Sequence, residues 1–352
     1  MTPPVIAIEP VTDFAALAPI WRELERRADC SFFQSWAWTG CLAEERFAEP
    51  WLLTARRGDR IVGLALFNRG PRTGLAKPIL LGESGKADLD SIFTEHNGLL
   101  LDRDEPDDLA ARCWAALAEK FGKAKWLIGG ATEATCAALP ADRIARVRAK
   151  RPALYFDLSP DTDPLDRFSA NTRQQLRRSL RAWEEIGPLT LDVAAPGEAA
   201  SGVADSYLDA LAELHQRYWT SRGKPGAFAE PFFDRFHHAL LRRAADGQSV
   251  DLIRVRAGER VAGYLYNFVH DGWVAAYQSG FDFGPDADRL RPGLVCHLLA
   301  IRHYAGAGMR RYDFLGGEAR YKRSLANGEI PLVWLDVRHK LPWQSRRQAV
   351  SS

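Results

Sequence analysis

LLTARRGDRIVGLALF (Leu52–Phe67) and LIRVRAGERVAGYLYN (Leu252–Asn267) are two versions of one pattern, set 200 residues apart. Gly58, Asp59, Arg60, Ile61 and Gly63 of the first fall opposite Gly258, Glu259, Arg260, Val261 and Gly263 of the second. Each reads as a β-hairpin: an apolar strand, a tight turn at Gly-Asp or Gly-Glu, and a second apolar strand. A repeat at fixed offset is the strongest organisational signal a chain can carry, so the fold is read outward from it.

The flanks agree with the hairpins. Phe32-Phe33 and Phe232-Phe233 open helical segments at the same offset. Downstream of the first hairpin, Asp107–Phe121 repeats apolar residues at Leu109, Cys113, Leu117 and Phe121, stops at Gly122 and leads into KWLIGG; that spacing predicts a helix followed by a strand. Downstream of the second, Gly293–Tyr304 predicts a helix that ends at Gly306 or Gly308 and leads into RRYDFLGG. Pro152–Ser159 reads as a strand between the copies. Asn171–Ile186 reads as a helix capped by Asn171 and striped by Leu176, Leu180 and Trp183. The expected architecture is α/β (α+β): two tandem units, residues 1–150 and 151–340, each a mixed, mostly antiparallel sheet flanked by helices, with a tail at 341–352. A cleft between two such units is a favoured ligand site.

Composition bounds the function. At 352 residues the chain has room for roughly two domains. With 46% apolar and 26% charged residues it is an ordinary globular sequence, and a net charge of +2 gives no global case for a nucleic-acid or membrane-surface protein. No basic and then apolar leader opens it, and no apolar run approaches the roughly 20 residues of a bilayer span. Five scattered cysteines without a CxxC pair suggest neither a disulfide framework nor a zinc site. No metal site is expected, and a reducing cytoplasm fits best.

The common catalytic signatures are missing: no GxxxxGK[ST], GxGxxG, HExxH or GxSxG occurs. His237 and His238 are adjacent and point to different faces of a helix, which argues against a shared metal. Polar groups instead gather in the second copy. YQSGFD (Tyr277–Asp282), with Tyr277 and Gln278, sits at a strand end. Arg291-Pro292-Gly293 opens an apolar helix, whose start leaves the N–H groups of Leu294 and Val295 free for an anion or simply makes an ordinary helix start. In RRYDFLGGEARYKRSLANG (Arg310–Gly328), Asp313 falls inside an apolar strand, where a carboxylate is costly unless compensated. Gly316-Gly317 allows close approach, and Tyr321-Lys322 either returns a phenol and a cation to the strand end or forms a surface turn. In the first copy, Glu95, His96 and Asn97 precede an apolar strand; Asn97-Gly98 also reads as a plain turn. Arg173, Arg177 and Arg181 form one ridge on the Asn171 helix, either a phosphate-binding face or a solvated one.

The residues Tyr277 to Asp282, Arg291-Pro292-Gly293, Tyr312-Asp313-Phe314, Gly317-Glu318 and Tyr321-Lys322 carry a resemblance. The stretch from about Tyr155 to Val337 resembles the acetyltransferase domain of the GNAT superfamily found in CelD-like proteins of bacterial polysaccharide biosynthesis. It is also similar to the Fem-type aminoacyltransferases of peptidoglycan, which have two GNAT-like domains in tandem. The resemblance implies transfer of an acyl group, most readily acetyl, to an amine or hydroxyl of an envelope or polysaccharide-related acceptor. Acyl-CoA is then a co-substrate rather than a tightly bound cofactor, held near Arg291, Gly293, Leu294 and Val295. Asp313, Tyr321 and Lys322 would be catalytic, with Glu95 or His96 as general base, and Asn97, Tyr277, Gln278, Arg173, Arg177 and Arg181 would contact substrate. The helix start has one glycine where GNAT loops carry two or three. Two alternatives remain open: an aminoacyl-tRNA donor, with tRNA as partner, and a non-catalytic scaffold in polysaccharide synthesis.

Overall fold

In both hairpins a glycine alone fits the turn. Gly58 and Gly258 sit at φ 60° and 55°, a left-handed conformation that costs other residues a Cβ clash, and each is followed by one more turn residue, Asp59 or Glu259, before the return strand starts. The computed structural model describes residues 3–72, 76–194, 202–244 and 249–340; the tail expected at 341–352 lies outside the described residues.

The elements up to the middle of the chain are β1 (Val5–Pro10), α1 (Leu17–Glu25), α2 (Trp36–Arg46), β2 (Pro50–Arg57), β3 (Arg60–Arg69), β4 (Ile79–Leu81), β5 (Leu100–Leu101), α3 (Leu109–Phe121), β6 (Trp126–Ala131), α4 (Glu133–Ala137) and β7 (Arg143–Asp157). They continue as α5 (Pro164–Arg167), α6 (Ala170–Glu184), β8 (Leu189–Ala194), α7 (Val203–Thr220), α8 (Pro231–Ala244), β9 (Ser249–Ala257), β10 (Arg260–His270), β11 (Trp273–Phe281), α9 (Ala287–Leu290), α10 (Pro292–Gly306), β12 (Arg311–Gly316), α11 (Arg320–Leu325) and β13 (Gly328–His339). The helix α6 begins one residue before Asn171. Its cap is Ser169, whose Oγ accepts the Thr172 N–H at 3.2 Å, so Asn171 is a first-turn residue and not the cap.

Two compact units result, Met1–Arg151 with Pro331–Ser352, and Pro152–Ile330. The division of the chain therefore departs from 151–340: from Pro331 onward the chain belongs to the first unit. In the first unit, strand neighbours run β1-β2-β3-β4-β6-β13, with β5 also on β3. In the second they run β7-β12-β11-β10-β9-β8. Within each set one pair is parallel, β4 with β6 and β11 with β12, and the other neighbouring pairs are antiparallel. The parallel partners flank α3 and α10, because only a crossover through a helix can bring a strand back in the same direction.

Each unit has its own core. In the first, Trp114 of α3 stacks on Trp126 of β6 at 5.6 Å among Leu53, Val62, Phe67 and Leu117. In the second, Trp183 of α6 and Val295, Cys296, Leu298 and Ile301 of α10 pack on Ile253, Leu265, Val274 and Tyr312. Truncating either tryptophan would cost about 3–5 kcal/mol. The sequence reading holds no element where the helix α7 lies. Among the described residues no helix is long and apolar enough to cross a membrane.

Candidate active site

The site is built from a break between two parallel strands. β11 and β12 pair at Trp273–Arg311, Val274–Tyr312 and Ala275–Asp313, and no pair follows although β11 runs on to Phe281. The cause lies in β12. Asp313, 1% exposed, accepts the N–H of Leu315 at 2.6 Å, a local turn that draws the chain out of the ladder. Leu315 is thereby forced to φ 60°, Gly317 follows at 119°, and the register against β7 slips between Asp313 and Gly316. A non-glycine residue in that region is strained and persists only where its surroundings hold it.

The diverging strand leaves carbonyls to satisfy. Lys322, returned by the short helix α11, donates to the carbonyls of Leu315 at 3.2 Å and Gly316 at 2.9 Å. Tyr321 beside it stacks on His297 of α10, ring centres 5.2 Å apart and planes 12° from parallel. His297 Nδ1 lies 3.0 Å from the Tyr312 hydroxyl, and its buried Nε2 has no hydrogen-bond partner among the described residues. Burial, with the Lys322 charge added, pulls the His297 pKa down to about 3, so the ring is neutral at pH 7. Burial also raises the phenols of Tyr312 and Tyr321 above their usual range.

At the other end of the opening stands the start of α10. Arg291 is left-handed at φ 44° and exposed, and Pro292 occupies the first helical position. Val295 N–H already donates to the Arg291 carbonyl at 3.2 Å. The groups ahead of the helical ladder are therefore those of Gly293 and Leu294, a correction to the expected Leu294 and Val295. A Cβ on Gly293 would stand 3.1 Å from the Phe281 ring, so glycine is what lets the helix start approach the end of β11. The loop before it is held by α6: Ser179 Oγ donates to the Arg289 carbonyl at 3.1 Å and Trp183 Nε1 to that of Leu290 at 2.9 Å.

Asp313, Tyr321, Lys322, Arg291, Gly293 and Leu294 thus occur around one strand break. Tyr277 does not join them. Its ring lies 4.8 Å from Phe268 and 5.0 Å from His237 of α8, and stacks with Phe233 at 6.3 Å. The register of β11 against β10 slips here: Tyr266 pairs with Gln278 and Asn267 with Ala276, which leaves Tyr277 as the extra residue of a β-bulge. On α6, Arg177 and Arg181 are exposed, while Arg173 is half-buried and donates to the Asp166 carbonyl. Glu95, His96 and Asn97 belong to the first unit and are all buried. Asn97 spends its amide on the carbonyls of Leu81 (3.1 Å) and Gly129 (2.9 Å), which makes it a structural strut rather than the substrate contact expected. His96 is held at φ 47°, and Ser31 Oγ donates to its carbonyl.

His297 and Ser179 are absent from the sequence reading, and Trp183 enters it only as part of an apolar stripe. His297 stands one helical turn after Gly293, and a lone histidine in the run Leu294–Ile301 was its only signal. His237 and His238 do face apart, His237 buried and His238 beside Asp205, Asp209 and Asp234. Cys113 and Cys296 are buried, and burial raises both thiols, Cys113 to about 12, which disfavours them as nucleophiles.

A helix bridging two parallel strands that part beyond a short pairing decides the fold. Residues 170–323 match the family model described as the acetyltransferase (GNAT) domain. These residues have the GNAT fold. FemX is similar in structure, with a TM-score of 0.60 at 11% identity over 94% of this chain and 96% of that one. So is the L-PGS of Bacillus licheniformis, at 0.55 and 12% identity over 92% and 93%. The C-terminal domain of a candidate lysylphosphatidylglycerol synthetase of Agrobacterium fabrum gives 0.54 and 12% over 92% of each chain. No curated protein matches the sequence at a significant level. Identities this low speak to the shared fold alone.

Proposed function

We propose that this chain is an acyltransferase whose acyl-CoA donor lies along the opening between β11 and β12. The observation that carries the reading is the end of parallel pairing at Ala275–Asp313, which leaves the edge of β11 from Ala276 to Phe281 without β12 and sets a helix start beside it. A ligand with an extended amide chain can complete that edge as a strand would. The Gly293 and Leu294 N–H groups can donate to its phosphate oxygens at the helix start, with exposed Arg291 adding charge.

The acceptor's nitrogen or oxygen attacks the donor's carbonyl carbon, the carbon–sulfur bond breaks, the thiolate leaves, and the acceptor's proton passes to a base or to the departing sulfur. Lys322 fixes the carbonyls of Leu315 and Gly316 and supplies positive charge beside the forming oxyanion. His297, neutral at pH 7, is a positioning residue: it holds Tyr312 by a hydrogen bond and Tyr321 by stacking. No covalent enzyme intermediate enters, which agrees with the raised thiols of Cys113 and Cys296.

The test is thiol release from a panel of acyl-CoAs against amine and hydroxyl acceptors, with Lys322→Ala and Asp313→Asn beside the parent. Activity unchanged in both variants would remove them from the site. A second reading, an aminoacyl-tRNA donor, draws on the exposed Arg177 and Arg181 of α6. Binding of tRNA that is insensitive to their replacement by glutamate would sink it. If the chain is instead a non-catalytic scaffold, no acyl-CoA will raise its melting temperature, whereas a bound donor at 100 times its Kd adds about 2.7 kcal/mol.

A further inference from the structure

In the first unit, Arg151 is a cation with aromatic neighbours. Its guanidinium carbon lies 5.5 Å from the centre of the Phe93 ring and 5.2 Å from that of Trp334. No carboxylate pairs with it among the described residues, although Arg148, three positions earlier, is bound to Glu83 at 2.7 Å. These residues and Ile92 line a cleft of about 350 Å³, at the lower end of the range for small-molecule sites. Phe93, 44% exposed, is one of the few large apolar side chains open to solvent.

The floor of the cleft is polar and close-fitted. A Cβ on Gly129 would stand 2.8 Å from Glu83 Oε1 and 3.3 Å from Trp334 Nε1, so the glycine makes room for a carboxylate there. The Glu83 side chain is 14% exposed, and burial raises its pKa despite Arg148. The other acid of the cleft, Asp90, is committed: it accepts the N–H groups of Ser84 and Gly85 and pairs with Arg46. Setting Glu83 against Arg148 and Asp90 against Arg46 leaves the charge of Arg151 over. A guanidinium flanked by aromatic rings keeps its N–H edge for a planar or tetrahedral anion. Glu83, an acceptor with lone pairs to spare, calls for a hydroxyl or ammonium donor nearby.

We infer that this cleft is a second ligand site, inside the first unit, for a hydroxylated organic anion: the anionic group on Arg151, a hydroxyl on Glu83, and the carbon skeleton against Phe93, Trp334 and Ile92. The site stands independently of the donor chemistry assigned to the second unit. Two sources share this chemistry, a sugar phosphate and the glycerol phosphate of a lipid headgroup.

Calorimetric titration of the full chain with glucose 1-phosphate, glycerol 3-phosphate, inorganic phosphate and acetate tests it. Both esters should bind more tightly than phosphate or acetate, and the tighter ester identifies the source. Arg151→Met should weaken the esters about tenfold, with Arg151→Gln as a second variant. Glu83→Gln should narrow the gap between the esters and plain phosphate. Inorganic phosphate binding as well as the esters, Arg151 variants that melt normally and bind like the parent, or no binding of any probe at millimolar concentration would each overturn the proposal.

Discussion

The chain contains the same strand break twice, and closes it in two ways. In the first unit β4 and β6 pair at Ile79–Trp126, Leu80–Leu127 and Leu81–Ile128; in the second β11 and β12 pair at Trp273–Arg311, Val274–Tyr312 and Ala275–Asp313. By that register Ile128 corresponds to Asp313 and Gly130 to Leu315, and both of the latter sit at φ 60°. Beyond this point the copies differ. In the first unit the chain itself enters the opening: Asn97 N–H donates to the Gly130 carbonyl at 2.9 Å, its amide to Leu81 and Gly129, and it bridges to Ala131. In the second unit the corresponding carbonyl, that of Leu315, takes the Lys322 ammonium. A backbone plug satisfies polar groups permanently. A flexible cation satisfies them and can also meet a ligand's charge, which is why the donor is assigned to the second unit.

The sharpest way to break this contrast is at Lys322. Lys322→Ala should lower acyl transfer by about 100- to 1,000-fold, the scale of a lost oxyanion donor, while Lys322→Arg keeps part of it; a progress-curve assay decides. Next in size is Gly130→Ala. Its Cβ would fall 2.2 Å from the Thr94 carbonyl at a left-handed φ, so urea unfolding should show a loss of about 3 kcal/mol or more, against a small effect at Gly306, the last residue of α10, where φ is not positive and nothing lies within 4 Å.

Asn97→Ala should cost about 2 kcal/mol by stranding the carbonyls of Leu81 and Gly129, with kcat per folded molecule unchanged. A comparable fall in kcat would mean that the first break also serves the chemistry.

The pH dependence of stability sharpens the second unit. His297 is held neutral, its pKa lowered from 6.5 to about 3. A depressed folded-state pKa means that the unfolded chain binds the proton first, so this contribution is complete above about pH 6.5 and is lost as pH falls towards about 3. His215, His237 and His270 shift in the same direction. His297→Gln should therefore flatten the acid limb of a chemical-denaturation profile without abolishing it. Smallest of all, Arg177→Ala with Arg181→Ala on the exposed face of α6 should leave stability within about 0.5 kcal/mol and alter only the binding of polyanions.

Local signals made the hairpins legible: a left-handed glycine, a polar turn partner and apolar strands on either side. The helix–strand pairs α3–β6 and α10–β12 were legible for the same reason, as apolar spacing ended by glycine. The helix α7 was harder to place because its N-terminus has no side-chain cap, only Gly202 at φ 69°. Asn97-Gly98 reads locally as a turn, and nothing local says that the amide reaches Leu81 and Gly129. Asp313 could be marked as a carboxylate in an apolar strand. That it bends β12 away from β11 follows from parallel pairing between elements 38 positions apart at Ala275 and Asp313, which no local pattern encodes. The end of β13 in the first unit is of the same kind, a matter of topology rather than of spacing.

Calorimetric titration of acetyl-CoA into the parent chain, Gly293→Val and Asn97→Ala tests the central claim most directly. The account predicts one donor site per chain, lost when a side chain at Gly293 meets Phe281 and retained in Asn97→Ala. Two sites per chain, no site, or a site that survives Gly293→Val but not Asn97→Ala would contradict it.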